Sequence, residues 1–201
     1  RVDRRRIMDG GALPFSFHAF FASAQAQGGF DVVIGNPPWV RLHRIPAAVR
    51  VRFRQSFEVF RTAAWQSGAE SAGVATGFAS QIDLAALFVE RSVQLLRPGG
   101  VVSLLLPSKL WRSLAGGGVR SFLARAASLE RLEDLADTHH AFDAAVYPSL
   151  LVARAGHPAD PAPIQLAVHD RSAVREWSSA FAAVAFDETP GAPWLILPPD
   201  A

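Results

Sequence analysis

The sequence predicts an α/β domain on a largely parallel sheet with right-handed crossovers, and three observations predict it. Two short apolar runs, Phe30-Asp31-Val32-Val33-Ile34 and Val101 to Leu106, have the length of strands and lack the alternation of half-exposed ones. Between them Leu84, Leu87, Phe88, Leu95 and Leu96 recur at helical spacing. Proline and glycine punctuate the junctions: Gly35-Asn36-Pro37-Pro38 ends the first run, Arg97-Pro98-Gly99-Gly100 stops the helix, and Pro107 ends the second run.

The elements follow in order. Residues 1–12 read as a polar, basic lead-in, and the aromatic-rich Phe15 to Phe21 as a segment that packs on the sheet or opens a short helix. The strand at 30–34 comes next. A helix is expected at about 46–62 and a mobile small-residue loop at about 64–80, around Gln66-Ser67-Gly68-Ala69-Glu70-Ser71-Ala72-Gly73. Asp83 is placed to cap the following helix. Gly116-Gly117-Gly118 lacks the lysine–hydroxyl pair of a phosphate loop, so it reads as a hinge before a helix at about Val119 to Ala127. Strands are expected near Leu132–Ala136 and Leu150–Ala153, as a possible antiparallel edge hairpin around Phe142. Then come a strand at Ile164–Val168, a short helix and a loop-like tail from Pro190 to Ala201.

Composition bounds the function. The chain has 201 residues, 50% hydrophobic, enough for one globular core, and no apolar run approaches the ~18–20 residues of a membrane span. With no cysteine, disulfides and thiolate metal sites are excluded, and a cytoplasmic setting is the expectation. His139-His140 has no third ligand at useful spacing, so no metal is expected. Net charge is only +2, and all basic residues but Lys109 are arginine. The first residue is Arg1 rather than methionine, and the expectation is a piece of a longer protein.

The chemistry concentrates in Asn36-Pro37-Pro38-Trp39. Two prolines directly after a strand cannot donate ladder hydrogen bonds, so they leave a rigid corner. The amide oxygen of Asn36 and the carbonyl of Pro37 can accept two N–H bonds from one exocyclic amine, while Trp39 stacks on the ring that carries it. Just beyond, Arg41, Arg44, Arg50, Arg52, Arg54 and Arg61 form a basic stretch, read either as phosphate contacts or as a solvated helix face. Lys109 follows Pro107-Ser108 at a strand's C-terminal end, where α/β sheets carry their sites, and is a candidate phosphate or substrate contact.

Phe30-Asp31-Val32-Val33-Ile34-Gly35-Asn36-Pro37-Pro38-Trp39 resembles the catalytic motif of the S-adenosylmethionine-dependent amino-methyltransferases, and most of all that of the adenine-N6 DNA methyltransferases of restriction-modification and phage-defence systems, including the fused restriction-methylation type. The resemblance continues in order: Asp83 to Glu90 is similar to the helix after the loop, Leu96 to Ser108 to the next strand, and Phe142 to Val152 to a late hairpin. It spans about residues 13 to 155. It implies a Rossmann-like methyltransferase fold and S-adenosylmethionine as cofactor, with methyl transfer to the N6 amine of an adenine flipped out of double-stranded DNA. The roles it implies are catalysis by Asn36, Pro37 and Trp39, and substrate contacts from Pro38, Phe142, Arg41, Arg44 and Lys109. Asn36 and Asp31 would touch the cofactor, although Asp31 also reads as a surface or capping acid.

One feature of that group is missing. The glycine-rich loop and acidic residue that hold most of the cofactor should precede the catalytic loop, yet only 35 residues do, and Gly10-Gly11 follows no strand. The expectation is a partial domain lacking the N-terminal cofactor-loop half: 1–156 as the C-terminal portion of the catalytic domain, and 157–201 as a connector toward a target-recognition domain. The expected partners are DNA, the N-terminal half and that recognition domain, with no membrane. The competing readings are an enzyme with the same loop acting on RNA or a protein glutamine, and a non-catalytic scaffold or DNA-binding half-domain.

Overall fold

The computed structural model describes residues 16–62, 65–73, 82–135, 147–160, 162–170 and 173–199. After two short helices, α1 (Phe17–Phe20) and α2 (Ala22–Ala26), the chain enters β1 (Phe30–Gly35). Then come α3 (Ala47–Ser56), α4 (Glu58–Arg61), α5 (Gln66–Ser71) and α6 (Ala85–Leu95), followed by β2 (Leu96–Pro107), α7 (Lys109–Arg112) and α8 (Gly117–Ala126). The remainder supplies β3 (Ala127–Asp134), β4 (Pro148–Ala155), β5 (Ile164–His169), β6 (Val174–Ser179) and α9 (Phe181–Val184).

The strands form one sheet in the order β1-β2-β4-β3-β5-β6. β1 runs parallel to β2 with Ile34 opposite Ser103, and β3 runs parallel to β5. The ladders β2–β4, β3–β4 and β5–β6 are antiparallel, so the sheet is mixed rather than largely parallel. The expected hairpin exists, but it lies inside the sheet, because β4 inserts between β2 and β3 instead of closing an edge.

One face of the sheet carries the core. Val102, Leu104, Leu106, Leu132, Leu151, Ala153 and Leu166 are buried there in one cluster with residues of α6 and α8. Residues on the other face of β2, Val101, Ser103 and Leu105, are only half covered. On the same face of β1, Val32 and Ile34 are 59% and 79% exposed.

Several expectations are corrected. The helix expected at 46–62 is two helices, because Phe57 is extended (φ −124°, ψ 131°). The new N-terminus is satisfied from a distance: the buried Glu90 carboxylate accepts the backbone N–H groups of Glu58 (3.1 Å) and Val59 (2.9 Å). Gln66–Ser71 within the expected loop is helical, and residues 74–81 lie outside the described ones. Gly116-Gly117-Gly118 is a packing seam rather than a hinge. A Cβ on Gly116 would stand 2.1 Å from the Leu110 carbonyl oxygen, and one on Gly118 2.3 Å from that of Thr62. The strand expected near Leu132–Ala136 starts earlier, at Ala127, directly after α8. Between β5 and the short helix α9 stands β6, an edge strand whose residues are mostly exposed and which therefore lacks an apolar signature.

Candidate active site

The Asn36 corner leaves the C-terminal end of β1 between two fixed points. On one side Gly35 is the last residue of the β1–β2 ladder, opposite Leu104. On the other, Val40 to Leu42 lies antiparallel to Ile82 to Leu84. The Leu84 N–H donates to the Val40 carbonyl (2.8 Å), the Leu42 N–H to the Ile82 carbonyl (3.2 Å), and these main-chain bonds set Arg41 opposite Asp83 in an isolated antiparallel β-bridge. Leu42 is fully buried and anchors this strap in the core. Within the corner, Asn36 and Pro38 are exposed, Pro37 is buried, and Trp39 is half-buried with its ring against the core cluster. The indole nitrogen is turned inward. An amide is thus held at the surface by a main chain that cannot rearrange cheaply.

Lys109 opens α7 at the C-terminal end of β2, the strand beside β1. Its Nζ lies 3.0 Å from Asp83 Oδ2. The other Asp83 oxygen accepts the Ala85 N–H (3.2 Å); the helix's cap position itself is Leu84, so Asp83 supports the first turn of α6 from one residue before the cap rather than as the cap expected from the sequence. Its pairing with Lys109 is not visible in sequence, because the two stand 26 positions apart. The sole tyrosine, Tyr147, reaches the same end of the sheet: its carbonyl accepts the Ser108 N–H (2.8 Å) and its side chain is exposed. Nothing local in the sequence marks Tyr147; only the Pro107–Pro148 register brings it there.

Asp31 does not join this group. It sits near the N-terminal end of β1, where its carboxylate pairs with Arg97 Nε (2.6 Å). Asn36 stands five positions further along the chain, roughly 16 Å at ~3.3 Å per residue. Phe142 and His139-His140 lie outside the described residues.

The basic stretch divides in two. Arg54 covers the Phe60 ring at 6.0 Å, and Arg61 Nη1 donates to the carbonyls of Arg54 and Gln55 (3.1 Å each), closing the C-terminal turn of α3. Arg41, Arg44, Arg50 and Arg52 form no salt bridge among the described residues, and Arg41 and Arg44 are exposed just after the corner.

A cavity of about 750 Å³ among the described residues lies at the other end of the sheet, lined by Ala127, Arg154 and Ile164 among others. The Asn36 corner instead borders an open margin: among the described residues β1 has a neighbour on one side only. That margin gives the corner one wall of an open crevice.

Comparison with known proteins bears on this arrangement. Residues 6–142 match the family described as Eco57I restriction-modification methylase. The Type II methyltransferase M.XhoI of Xanthomonas vasicola is 29% identical over 151 residues, covering 74% of this chain and 24% of that protein. M.PaeR7I of Pseudomonas aeruginosa, also a Type II methyltransferase, is 29% identical over 134 residues, covering 66% of this chain and 20% of its own length. The chain therefore spans about a quarter or less of these relatives. Among solved structures, a class I S-adenosylmethionine-dependent methyltransferase from Listeria monocytogenes superposes with a TM-score of 0.50 at 20% identity, over 70% of this chain and 36% of that one. The Type IIL restriction-modification enzyme MmeI, solved with DNA, superposes with a TM-score of 0.51 at 12% identity, over 80% of this chain and 19% of that one. At these identities the superpositions speak to the fold: the sheet and its helices are built as in class I methyltransferases.

Proposed function

This chain belongs to the Eco57I restriction-modification methylase family, and on that premise we propose that it is part of a DNA methyltransferase that modifies the N6 amine of an adenine flipped out of the duplex. The observation that carries the reading is the Asn36-Pro37-Pro38-Trp39 corner, exposed at its amide and pinned on both sides. An exocyclic amine is a poor nucleophile because its lone pair is delocalised into the ring. Asn36 Oδ1 and the Pro37 carbonyl accept its two hydrogens, favour pyramidal nitrogen and stabilise the positive charge that builds on it. A corner already fixed before substrate arrives does this without reorganising. Trp39 stacks on the flipped base, and its buried edge keeps the ring from turning away. No strong base is needed, because the methylated nitrogen is acidic and gives its surplus proton to water.

The cofactor is S-adenosylmethionine, which when bound supplies an electrophilic methyl group on a sulfonium centre. The residues present fit one wall of its site, since Asn36 stands exposed beside the open margin of β1. The second wall, a glycine-rich turn after a strand, is not among the described residues. An N-terminal half of the domain supplies it by adding strands to the free edge of β1, with its helices packed over Val32 and Ile34 on the open face. DNA is the substrate partner: Arg41 and Arg44 contact the phosphates that flank the flipped nucleotide. A separate recognition domain selects the sequence.

The test is methyl incorporation into DNA by the full-length protein, with the modified base identified by mass spectrometry. Asn36→Ala is expected to lower kcat by about 100-fold or more, the cost of removing one transition-state hydrogen bond, with DNA affinity preserved. Undiminished methylation by Asn36→Ala overturns the reading.

A further inference from the structure

We infer that Lys109 is a positioning residue: by neutralising the buried carboxylate of Asp83 it holds the strap that fixes the Asn36 corner. The inference rests on the methyltransferase reading and assigns Lys109 a role inside the protein rather than on the substrate.

Asp83 is 2% exposed, yet it carries a carboxylate. Among the described residues that charge meets two groups, Lys109 Nζ at 3.0 Å and the Ala85 N–H at 3.2 Å. Lys109 is itself half exposed, so the cation retains part of its hydration while the anion does not. The two partners are therefore unequal: without Lys109 the carboxylate is left buried and uncompensated, which costs far more than losing both charges together.

The pair also closes a ring of contacts around the catalytic corner. Gly35 is held by the ladder to Leu104 of β2, and β2 runs on to Lys109. Lys109 is bound to Asp83, whose neighbours are hydrogen-bonded to Val40 and Leu42. Among the described residues, Asn36 to Pro38 belong to neither the β1–β2 ladder nor the strap, and the proline nitrogens cannot donate a hydrogen bond. The corner's geometry is thus set by its flanks, and the Asp83–Lys109 contact is a polar link that joins the strap to the end of β2, beside the apolar anchor of Leu42.

A cycle of variants in the full-length protein separates this from a direct phosphate contact. Lys109→Met is expected to lower kcat with little change in DNA affinity. It is also expected to raise hydrogen exchange at the Leu42 and Leu84 amides by roughly tenfold, less than a fully buried pair would give because Lys109 is half exposed. The double variant Asp83→Asn/Lys109→Met removes the stranded charge while keeping an oxygen for the Ala85 N–H, and is expected to recover most of both losses. A phosphate role gives the opposite pattern: weaker DNA binding, a salt slope smaller by about 1, and no recovery in the double variant. That pattern overturns the inference, as does unchanged protection of Leu42 and Leu84 in Lys109→Met. Should Lys109→Met fail to fold, Asp83→Asn alone decides, because a variant without the buried charge must be milder than Lys109→Met. The exchange readout does not depend on methyl transfer, so an inactive wild-type protein would refute the methyltransferase reading and leave the strap still measurable.

Discussion

The indole of Trp111 lies flat against that of Trp194, with ring planes 9° apart and centroids 5.3 Å apart. The contact joins α7, which leaves the end of β2, to the segment after α9, and the Trp194 N–H donates to the Trp111 carbonyl (2.8 Å). Arg120 of α8 reinforces it. Its guanidinium is 0% exposed and donates to the carbonyls of Leu110, Ser113, Gly191 and Ala192. Burial pushes its pKa down to about 9, so it remains charged at neutral pH. The C-terminal segment is therefore part of the core that carries α7 and Lys109.

Trp194→Ala is expected to destabilise the fold by about 3–5 kcal/mol, the range for removing a buried aromatic. Arg120→Met is expected to cost about 3 kcal/mol or more, because several buried carbonyls lose their donor at once. Urea unfolding followed by tryptophan fluorescence measures both, and a loss below about 1 kcal/mol in either would contradict the packing described.

Glu90→Ala removes the acceptor for the Glu58 and Val59 N–H groups and is expected to cost about 1–2 kcal/mol, as for other lost N-caps. Hydrogen exchange should localise the loss to the start of α4. A uniform loss of protection across the sheet instead would mean that Glu90 supports more than that helix.

Trp39→Ala in the full-length protein is expected to weaken binding of the flipped base by about 1–3 kcal/mol, while Trp39→Phe keeps most of it. 2-Aminopurine at the target position reports the change. Equal fluorescence for Trp39→Ala and wild type would assign the ring to the core alone.

Arg41→Gln and Arg44→Gln are each expected to reduce the salt slope of DNA binding by about 0.9, as expected for one phosphate contact. Arg61→Gln is the contrast, since its guanidinium serves the end of α3: it should lower stability and leave the salt slope unchanged. A slope change for Arg61→Gln equal to that for Arg41→Gln would remove the distinction between the two arginine groups.

The strands nearest the site could be read from sequence because their causes are local. Phe30 to Gly35 and Val101 to Pro107 are apolar runs cut by proline, and α6 shows its buried face through spacing. What could not be read depends on partners far away in the chain. The break at Phe57 is capped by Glu90, and Gly116 and Gly118 are small because Leu110 and Thr62 approach them. β4 is interior because β3 reverses beside it, and β6 escapes a strand reading because one of its sides meets water. In the site, the Asn36 corner was legible from residue chemistry and from resemblance. Asp31 entered the site by resemblance alone: its place as the second residue of the strand already sets it apart from Asn36, and the fold adds its pairing with Arg97. Asp83 and Lys109 each had a local reading, but their union is a product of the fold.

β1 has consequences for handling the protein. Along its six residues Asp31 is the sole charge, and Val32 and Ile34 face outward beside a row of backbone donors and acceptors that no other described strand pairs. A margin of that kind is sticky: in a concentrated preparation of these 201 residues alone, copies will zip together along it and come out of solution.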